Sequence, residues 1–294
     1  METAKLIVIA GATASGKTSL AIALAQHLQT EIISCDARQF YKELEIGVAK
    51  PSAAQLAMVP HHFIGHKSIQ ENYSIADFEK EALALSASLF KKHQTIILCG
   101  GSGLYIDALC NGIDEMPAIS EEIKQQVAIL NQSERISIIQ DKDPEYYAEL
   151  DIQNIRRVQR ACEVILQSGE SFSSFRTGHK KNRPFTIYKF AIDIEREALY
   201  QQINHRVDAM IEAGLEAEAK TLFPLLPNKN LDTIGYREFF DSFNGLQSRE
   251  QAIDKIKQHT RNYAKRQMTW FRKDKSIQWV KSENIEVILQ AIQN

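Results

Sequence analysis

A glycine-rich segment near the start of the chain has the residue types and spacing of a phosphate-binding loop. Residues 11–18 read GATASGKT, which is G-x-x-x-x-G-K-T, and they directly follow the apolar run Leu6–Ala10. In such a loop the backbone N–H groups and the positive end of the following helix bind phosphate oxygens. Lys17 would add a positive charge, and the Thr18 hydroxyl would bind Mg²⁺. The segment therefore predicts a site for a di- or triphosphate, without showing that the ligand carries adenine.

The acidic residue nearest to this loop follows a different strand from the one that ATPases and kinases use. Those enzymes place a carboxylate after a second apolar strand, where it organises Mg²⁺. Here that strand, Thr95–Cys99, is followed by Gly100 and Gly101, whereas Asp36 follows the other apolar run, Glu31–Cys35. A lone Asp after a strand is commonly a cap or turn former. Beside a phosphate loop, however, it could orient and deprotonate an incoming nucleophile.

A second glycine-rich turn, GGSGLY at residues 100–105, begins where the run Thr95–Cys99 ends. Turns of this kind often serve only the close packing of backbone segments. Next to a phosphate site, the N–H groups of this turn and the Ser102 hydroxyl could hold oxygens of the nucleophile or of the leaving group. Ser102 therefore joins Asp36 and Lys17 as a candidate catalytic residue.

Strand and helix patterns alternate over the first hundred residues, which predicts a parallel sheet with helices on its faces. Helices are expected over Ser15–Leu28 and Ile75–Lys92, between the apolar runs. Ligands bind such sheets at the carboxyl ends of the strands, and the three segments described above lie there. The expected fold class is α/β, with a P-loop NTPase-like parallel sheet flanked by helices.

The sequence pattern changes near the middle of the chain, where helical, polar segments dominate and no strand pattern occurs. A strand at Ile187–Ile192 then returns the chain to the sheet, and helices are predicted over Arg196–Leu222, over Glu250–Phe271 and at the end of the chain. We therefore predict a catalytic core formed by residues 1–115 and 186–294, interrupted by a mostly helical insertion domain at residues 116–185.

Composition and charge narrow the class of protein. The chain has 294 residues, 44% of them hydrophobic, and a formal net charge of −2, which suits one large or two modest domains. It contains no run of about 18 apolar residues, and its N-terminus passes directly into a strand pattern, without the features of a signal peptide. The four cysteines lack C-x-x-C spacing, which is typical of buried reduced thiols. We expect a cytoplasmic protein without a membrane segment, in which any polyanion meets local basic patches.

Basic and aromatic residues are interleaved near the C-terminus, in HTRNYAKRQMTWFRKDK. Basic side chains bind phosphates and aromatic rings stack on bases, although a solvated helix with core aromatics would show the same pattern. A second candidate patch consists of Arg156, Arg157 and Arg160, and a third of the segment Arg176–Arg183. The residues of the first patch are Lys257, Arg261, Lys265, Arg266, Arg272, Lys273 and Lys275, with Tyr263, Trp270 and Phe271 between them.

Eight segments together resemble the tRNA dimethylallyltransferase (tRNA isopentenyltransferase) family in its bacterial form. They are GATASGKT, DARQFYKELEIGVAKP, VPHHFI, YSIADF, GGSGLY, RACEVI, IGYREF and TRNYAKRQMTWFRKD, and they cover nearly the whole chain. The resemblance implies transfer of a dimethylallyl group from dimethylallyl diphosphate to N6 of adenosine at tRNA position 37, with release of diphosphate. It also implies Mg²⁺ as the cofactor, the anticodon stem-loop as the bound part of the tRNA, and an insertion domain that grips the anticodon stem. We expect the enzyme to act as a monomer.

The resemblance also assigns roles to residues. It implies that Asp36 is the general base for the adenine amine, that Ser102 assists at the same centre, and that Lys17 acts on the diphosphate, with Thr18 on Mg²⁺. The expected diphosphate-binding residues are Gly11, Ala12, Thr13, Ala14, Ser15, Gly16, Lys17, Thr18 and, from the helix after the insertion, Arg206. The expected tRNA-binding residues are Asp36, Ala37, Arg38, Gln39, Ser102, Arg156, Arg157, Val158, Gln159, Arg160, Gly235, Tyr236, Arg237, Lys265, Arg266, Gln267, Met268, Thr269, Trp270, Phe271 and Arg272.

Three other functions fit parts of the sequence. A small-molecule P-loop kinase would use ATP, but it predicts an acidic residue after the run Thr95–Cys99. An adenylate isopentenyltransferase would share the chemistry on a free nucleotide, but it would need neither the insertion nor the basic C-terminal segment. A non-catalytic RNA-binding protein with a relic phosphate loop would not need Lys17, Thr18, Asp36 and Ser102, which are all present.

Some positions depart from the family pattern or suggest a second site. Ala12 replaces the usual proline, Val48 a threonine and Gly65 an acid. None of these is a residue that the resemblance makes catalytic, so we interpret them as tuning. The adjacent His61 and His62 do not predict a metal site, because neighbouring side chains diverge and no third ligand is evident. A structural or pocket-lining role is expected for this pair.

Overall fold

Six parallel strands form the sheet of this computed structural model, which describes residues 3–293. The strands are β1 (Lys5–Ala10), β2 (Ile32–Ser34), β3 (His61–His62), β4 (Thr95–Gly100), β5 (Thr186–Ile192) and β6 (Ile277–Val280). Their order is β3-β2-β4-β1-β5-β6, and every neighbouring pair is parallel. The predicted α/β fold class is therefore confirmed, and the carboxyl ends of the strands share one edge of the sheet.

Fourteen helices accompany the sheet within residues 3–293. The chain divides into two compact units, with boundaries between Cys110 and Asn111 and between Asn182 and Arg183, a few residues before the predicted ones. The first unit contains the sheet and the second is helical. The helices are α1 (Lys17–His27), α2 (Ala53–Met58), α3 (Ile75–Leu89), α4 (Gly103–Asn111), α5 (Glu121–Ile129), α6 (Gln132–Lys142), α7 (Pro144–Glu149), α8 (Ile155–Ser168), α9 (Phe172–Phe175), α10 (Arg196–Glu212), α11 (Leu215–Leu222), α12 (Arg237–Phe243), α13 (Arg249–Lys273) and α14 (Ile285–Gln293).

Strand β1 lies in the middle of the sheet and is buried on both faces. Leu6 and Val8 belong to one hydrophobic cluster, while Ile7 and Ile9 belong to another. Side chains alternate between the faces of a strand, so a strand covered by helices on both sides needs an unbroken apolar run. This explains why the apolar sequence LIVIA precedes the phosphate loop: the loop starts from a strand that is buried on both faces.

Helix α13 is the longest of the described helices, and it is built to expose one face. It begins at a capping box in which the Ser248 side chain accepts from the backbone N–H of Gln251 and the Gln251 side chain accepts from that of Ser248. Its buried residues include Ile256, Ala264 and Phe271, which recur at helical spacing. The remaining faces carry the basic residues of the C-terminal patch, so packing holds the helix in place while these side chains stay accessible.

One predicted helix is divided in the structure, and the short strands β3 and β6 were not predicted. The predicted helix Arg196–Leu222 is two helices, α10 and α11, because Gly214 adopts a left-handed backbone with φ of 100°. The four-residue strand β6 was not predicted, since IQWV carries too little alternating pattern to distinguish it from a loop. Strand β6 pairs with β5 and thereby extends the sheet beyond the predicted strands.

A carboxylate anchors the loop between β2 and α2. Glu218 of α11 accepts hydrogen bonds from the backbone N–H groups of Ile46 at 2.8 Å and Gly47 at 3.1 Å, and from the Tyr236 hydroxyl at 2.5 Å. Tyr236 is fully buried, and a Cβ added to Gly47 would lie 2.5 Å from its ring. The loop is therefore held by hydrogen bonds to Glu218 and by a ring that fits only against glycine.

Replacing Gly47 with alanine is expected to lower the free energy of unfolding by about 1–3 kcal/mol, the usual cost of forcing an extra methyl group into a packed interior. Urea unfolding followed by circular dichroism measures this. Ala49→Gly in the same loop is the matched control: Ala49 has φ of 50°, so glycine relieves backbone strain but adds unfolded-state entropy, and these effects of about 1 kcal/mol largely cancel. Equal stability of Gly47→Ala and the wild type would contradict the packing described.

The second unit has its own hydrophobic core. Val158, Cys162 and Ile165 of α8 are buried in it together with Val127 of α5. Asp143, which is 2% exposed, accepts hydrogen bonds from the Tyr146 backbone, at the start of α7, and from the backbone and hydroxyl of a serine in α9. One buried carboxylate thus fixes two short helices of this unit, which also pack Tyr146 and Phe172 into its core.

All four cysteines are free and buried, as predicted from their spacing. Burial raises the pKa of the Cys99 and Cys162 thiols to about 11 and that of Cys110 to about 12, so these thiols are protonated and unreactive near neutral pH. Among the helices of residues 3–293, none combines the length and the apolar character that crossing a membrane requires.

Candidate active site

Three strands deliver polar segments to one cleft at the edge of the sheet. Ala10, at the end of β1, is in register with Gly100 of β4, and Ser34, at the end of β2, is in register with Cys99. The phosphate loop, the segment starting at Asp36 and the GGSGLY turn therefore meet, because parallel strands end at the same edge. The polar lining of the cleft includes Thr13, Lys17, Thr18, Ser34, Asp36 and Arg206.

Two cationic side chains converge on the phosphate loop. The Lys17 ammonium lies 3.3 Å from the Ala12 carbonyl oxygen, and Nη1 of Arg206 donates to the Thr13 hydroxyl at 3.2 Å. Burial lowers the pKa of both side chains, and the charge of Arg206 acts in the same direction on the pKa of Lys17. An anion bound between these two groups would be stabilised by both charges, so the cleft suits a diphosphate.

The backbone of the loop has the curvature of an anion-binding nest. Ala14 and Gly16 are both left-handed, with φ of 63° and 90°, and such residues bend successive N–H groups towards one side. The Ser15 hydroxyl is buried and has no hydrogen-bond partner among the described residues. A Cβ on Gly11 would lie 2.6 Å from this hydroxyl, so the first glycine of the motif is required by space.

Asp36 is positioned by its own turn and by the GGSGLY segment. Its Oδ1 accepts from the backbone N–H of Arg38 at 3.0 Å, which fixes the carboxylate in a turn of the kind that Asp commonly forms. The N–H of Ala37 donates to the Ser102 hydroxyl at 3.3 Å, and that hydroxyl also hydrogen-bonds to Tyr263 of α13. The carboxylate lines the same cleft as the two cations, and its charge attracts both Lys17 and Arg206.

Part of the cleft lining is apolar, and these side chains form its apolar wall. Its apolar lining residues are Ile32, Val48, Ala49, Pro51 and Ile64. His61 belongs to the same wall: its Nδ1 donates to the Val59 carbonyl at 2.8 Å, its Nε2 is buried without a partner in the described chain, and burial lowers its pKa. A neutral His61 with an unprotonated Nε2 follows from this geometry. His62 instead contacts Glu31 at 2.6 Å, so the pair does not converge on a metal.

A ring cluster supports the segment that carries Asp36. Phe40 packs edge-to-face against His66 and Tyr73, with ring centroids 5.4 and 5.3 Å apart, and stacks on Phe78 at 5.6 Å. Burial lowers the pKa of His66, the neighbouring charge of Lys67 acts in the same direction, and Glu81 and Glu71 oppose the shift.

The His66→Phe variant is expected to lose less stability than the wild type when the pH falls from about 7.5 to about 5.5, across the ordinary histidine pKa of 6.5. The pKa of His66 is lower in the folded state, so unfolding takes up a proton, and the stability present above this range is lost as the pH falls. Urea unfolding at the two pH values measures the difference, with exposed His179→Phe as the control. Identical pH dependence in His66→Phe and the wild type would contradict this account of His66.

The predicted tRNA-binding residues of α13 divide between two faces. Met268 and Phe271 are packed in the core, and Gln267 is buried with both ends of its amide hydrogen-bonded. Helical spacing turns these three side chains inward, and their contact with tRNA stays a prediction. The exposed members are Lys265, Arg266, Thr269, Trp270 and Arg272.

Other predicted tRNA-binding residues also have internal partners. Arg38 donates to the Asn230 and Asp232 carbonyl oxygens at 3.2 and 3.3 Å, and Gln39 donates to the Val48 and Ala49 carbonyl oxygens. These contacts position the loops around the cleft.

The predicted tRNA-binding residues of the segment IGYREF also divide between buried and exposed positions. Tyr236 is fully buried beneath the loop described above, and its contact with tRNA stays a prediction. Arg237 remains nearly half-exposed and pairs with buried Glu238, and Glu238 also accepts from the N–H of Gly235 at 2.8 Å. Only Arg237 of the three predicted residues presents a side chain at the surface.

In the second unit, Arg156 and Arg157 of α8 are exposed, whereas Val158 is fully buried in the core of that unit. Arg160 lies 3.8 Å from Glu163, and Gln159 donates to the same carboxylate at 2.8 Å. The Val158 side chain therefore packs inside this unit and its contact with tRNA stays a prediction, while the arginines face solvent as a basic patch requires.

Two residues of the site were not among the predicted site residues. Tyr263 was noted only as an aromatic of the basic segment, yet its hydroxyl meets Ser102; burial raises its pKa to about 12, and the Asp36 charge acts in the same direction. Val48 was treated as a family departure, but it forms part of the apolar wall. The i, i+4 spacing of Tyr263 and Gln267 was the available signal, since it places both on one face of α13.

Comparison with known families gives a match over most of the chain. The family model described as IPP transferase matches residues 39–274. A curated tRNA dimethylallyltransferase from Christiangramia forsetii is 45% identical over 294 residues, covering 98% of this chain and 97% of the relative. Another, tRNA dimethylallyltransferase 1 from Bacteroides fragilis, is 40% identical over 297 residues and covers 100% and 99% of the two chains.

Solved structures show the same likeness. A full-length tRNA isopentenylpyrophosphate transferase from Bacillus halodurans has a TM-score of 0.72 and 33% identity, covering 99% of this chain and 94% of its own. A eukaryotic dimethylallyltransferase described as acting on tRNA has a TM-score of 0.83 and 25% identity, covering 99% and 78%. The similarity therefore extends over nearly the whole length of this chain.

Proposed function

Because the chain belongs to the IPP transferase family, we propose that it transfers a dimethylallyl group from dimethylallyl diphosphate to N6 of adenosine at tRNA position 37. The relatives named above are tRNA dimethylallyltransferases, and one solved structure is described as acting on tRNA. The observation that carries the proposal is the arrangement of the cleft. Two cations lie at the phosphate loop, and a carboxylate and an apolar wall line the same cleft.

This arrangement matches the charges that develop during the reaction. A bond forms between N6 and the allylic carbon while the bond from that carbon to the diphosphate oxygen breaks, and its electron pair leaves with the diphosphate. Lys17, Arg206 and the loop N–H groups would stabilise this developing negative charge. Asp36 would accept the proton from N6, whose lone pair is otherwise delocalised into the adenine ring.

In the proposal, the apolar wall protects the reacting carbon from water. The allylic carbon acquires positive charge as the diphosphate leaves, and water would capture it before the amine does. Val48, Pro51 and Ile64 would hold the dimethylallyl group and exclude water from this region. Val48 in place of a threonine increases the apolar area of this wall.

We include Mg²⁺ and tRNA in the proposal. The Thr18 hydroxyl lines the cleft, and oxygen is the ligand atom that Mg²⁺ prefers, so Thr18 would hold the ion, which when bound neutralises charge on the diphosphate. The adenine would have to leave its stack to enter the cleft, which loop nucleotides do readily. The exposed residues of α13, among them Lys265, Arg266 and Trp270, would bind the RNA through phosphate contacts and stacking.

The alternatives are not favoured. A kinase would need a carboxylate after β4, where Gly100 and Gly101 are both buried and tightly packed. An assay with labelled dimethylallyl diphosphate and three acceptor conditions, total tRNA, AMP or none, tests the proposal. We expect label in tRNA alone. Equal transfer to AMP would overturn the tRNA assignment, and ATP hydrolysis at an ordinary enzymatic rate without tRNA would favour the kinase.

A further inference from the structure

Gln267 of α13 bridges the two glycine-rich segments of the cleft. Its Oε1 accepts from the backbone N–H of Thr13 in the phosphate loop at 2.8 Å, and its Nε2 donates to the Gly101 carbonyl oxygen at 2.8 Å. The side chain is buried, and a Cβ on Gly101 would collide with Nε2. The Gln267 amide therefore pairs with the N–H of Thr13 in one segment and with the carbonyl oxygen of Gly101 in the other. It fits there because residue 101 is a glycine.

The neighbours of Gln267 along α13 contact the same region. Tyr263, one turn earlier, hydrogen-bonds to Ser102. Trp270, one turn later, covers Gly103 with its ring and donates to Asp107 at 3.0 Å. Residues three and four apart share a helix face, so one stripe of α13 contacts three residues of the GGSGLY turn. In addition, Ala264 and Met268 pack against Ala12 of the phosphate loop.

The contacts continue from Gln267 to a diphosphate-binding cation. Thr13, whose N–H is held by Gln267, accepts a hydrogen bond from Arg206 through its hydroxyl at 3.2 Å. A shift of α13 would therefore move the Thr13 backbone and, through its hydroxyl, the Arg206 guanidinium. The exposed side of the same helical turns carries Lys265, Arg266 and Thr269.

We propose that Gln267 is a positioning residue that couples the docking of RNA on α13 to diphosphate binding at the phosphate loop. RNA held by the exposed side of α13 would fix the position of the helix, and Gln267 would pass this restraint to Thr13 and the GGSGLY turn. The affinity for diphosphate then rises when RNA is bound, and by thermodynamic linkage the reverse also holds. This inference rests on the proposed function, since it takes tRNA as the ligand of α13.

The test is a binding cycle with inorganic diphosphate and Mg²⁺, measured by calorimetry on the full chain with and without an anticodon stem-loop RNA. For the wild type, we expect the RNA to raise the diphosphate affinity by a factor in the usual range of about 5–150. Gln267→Met, which is similar in length but makes neither hydrogen bond, is expected to reduce this factor to about 1. Its affinity for the RNA alone should stay near the wild-type value, because the exposed residues of α13 are unchanged.

Two further variants separate coupling from fold and from RNA binding. Gln258→Met makes the same substitution at an exposed position of α13 and should leave the factor unchanged. Gln267→Glu keeps the acceptor for the Thr13 N–H but replaces the donor to Gly101 with a carboxylate oxygen, so it should also lower the factor. If Gln267→Met does not fold, as judged by circular dichroism, Gln267→Glu decides by the same criterion.

The proposal would be overturned if RNA did not raise the diphosphate affinity of the wild type, that is, if the factor were near 1. It would also be overturned if Gln267→Met showed the same factor as the wild type. Where Gln267→Met does not fold, the same result in Gln267→Glu would overturn it. Because the cycle measures binding without prenyl transfer, its outcome is separate from that of the acceptor assay. A chain that transfers label to tRNA but shows no coupling would retain the proposed function and lose the role assigned to Gln267.

Discussion

Asp36→Asn is expected to lower the rate of prenyl transfer at saturating substrates by about 10²–10⁴-fold, the usual contribution of a positioned general base. The amide cannot take the N6 proton, yet it keeps the oxygen that accepts from the Arg38 N–H at 3.0 Å, so the turn should survive. The affinity for tRNA should stay close to that of the wild type, because the exposed residues of α13 are untouched. Single-turnover transfer and a filter-binding measurement of tRNA affinity check the two statements.

Asp193→Asn is the matched control for this substitution. Asp193 also follows a strand of the sheet, β5, at the same edge, but its side chain is exposed and pairs loosely with Lys281 at 3.7 Å. The Asp193→Asn variant should transfer the dimethylallyl group at the wild-type rate. An Asp36→Asn variant with a wild-type rate would show that another group accepts the proton.

Lys17→Met is expected to lower the transfer rate at saturating substrates by about 10²–10³-fold, the usual effect of removing one electrostatic group that acts on a developing anion. Lys17 lies in the cleft with Arg206, and in the proposed reaction its charge would act on the departing diphosphate. The loss should appear in the rate of the chemical step more than in tRNA affinity. Single-turnover kinetics over a range of donor concentrations separate the rate from donor binding.

The control for Lys17→Met is Lys220→Met, which removes the charge of an exposed lysine on α11. That variant should retain the wild-type rate. If Lys17→Met raised only the donor concentration needed for half-maximal rate, Lys17 would bind the diphosphate without acting on its departure.

The strand ends that carry the site could be predicted from the sequence, because local sequence signals mark where each strand ends. The apolar run before Gly11 and the glycines after Cys99 mark the ends of β1 and β4, and parallel strands then place both turns at one edge. The approach of Asp36 to these turns follows from the same rule. Arg206 was assigned by resemblance alone, and the structure brings it within hydrogen-bonding distance of Thr13.

Features that depend on contacts distant in the sequence could not be predicted in this way. Whether Gln267 or Arg266 faces the interior depends on how α13 rotates against the phosphate loop, more than 250 residues away along the chain. The buried positions of Tyr236 and Phe271 have the same origin, since an aromatic residue in a basic segment fits both a core and a stacking surface. The need for glycine at position 47 comes from the Tyr236 ring packed against it, a contact that the local sequence does not show.

The most direct test of the proposed function is to locate the product on the RNA. Wild-type protein is incubated with dimethylallyl diphosphate, Mg²⁺ and an unmodified tRNA that carries adenosine at position 37, and the nucleosides and nuclease fragments are analysed by mass spectrometry. We predict a dimethylallyl group on N6 of that adenosine, and none in a parallel reaction with the same tRNA carrying guanosine at position 37. A dimethylallyl group at another position, or none on either RNA while the protein is folded and binds tRNA, would contradict the account.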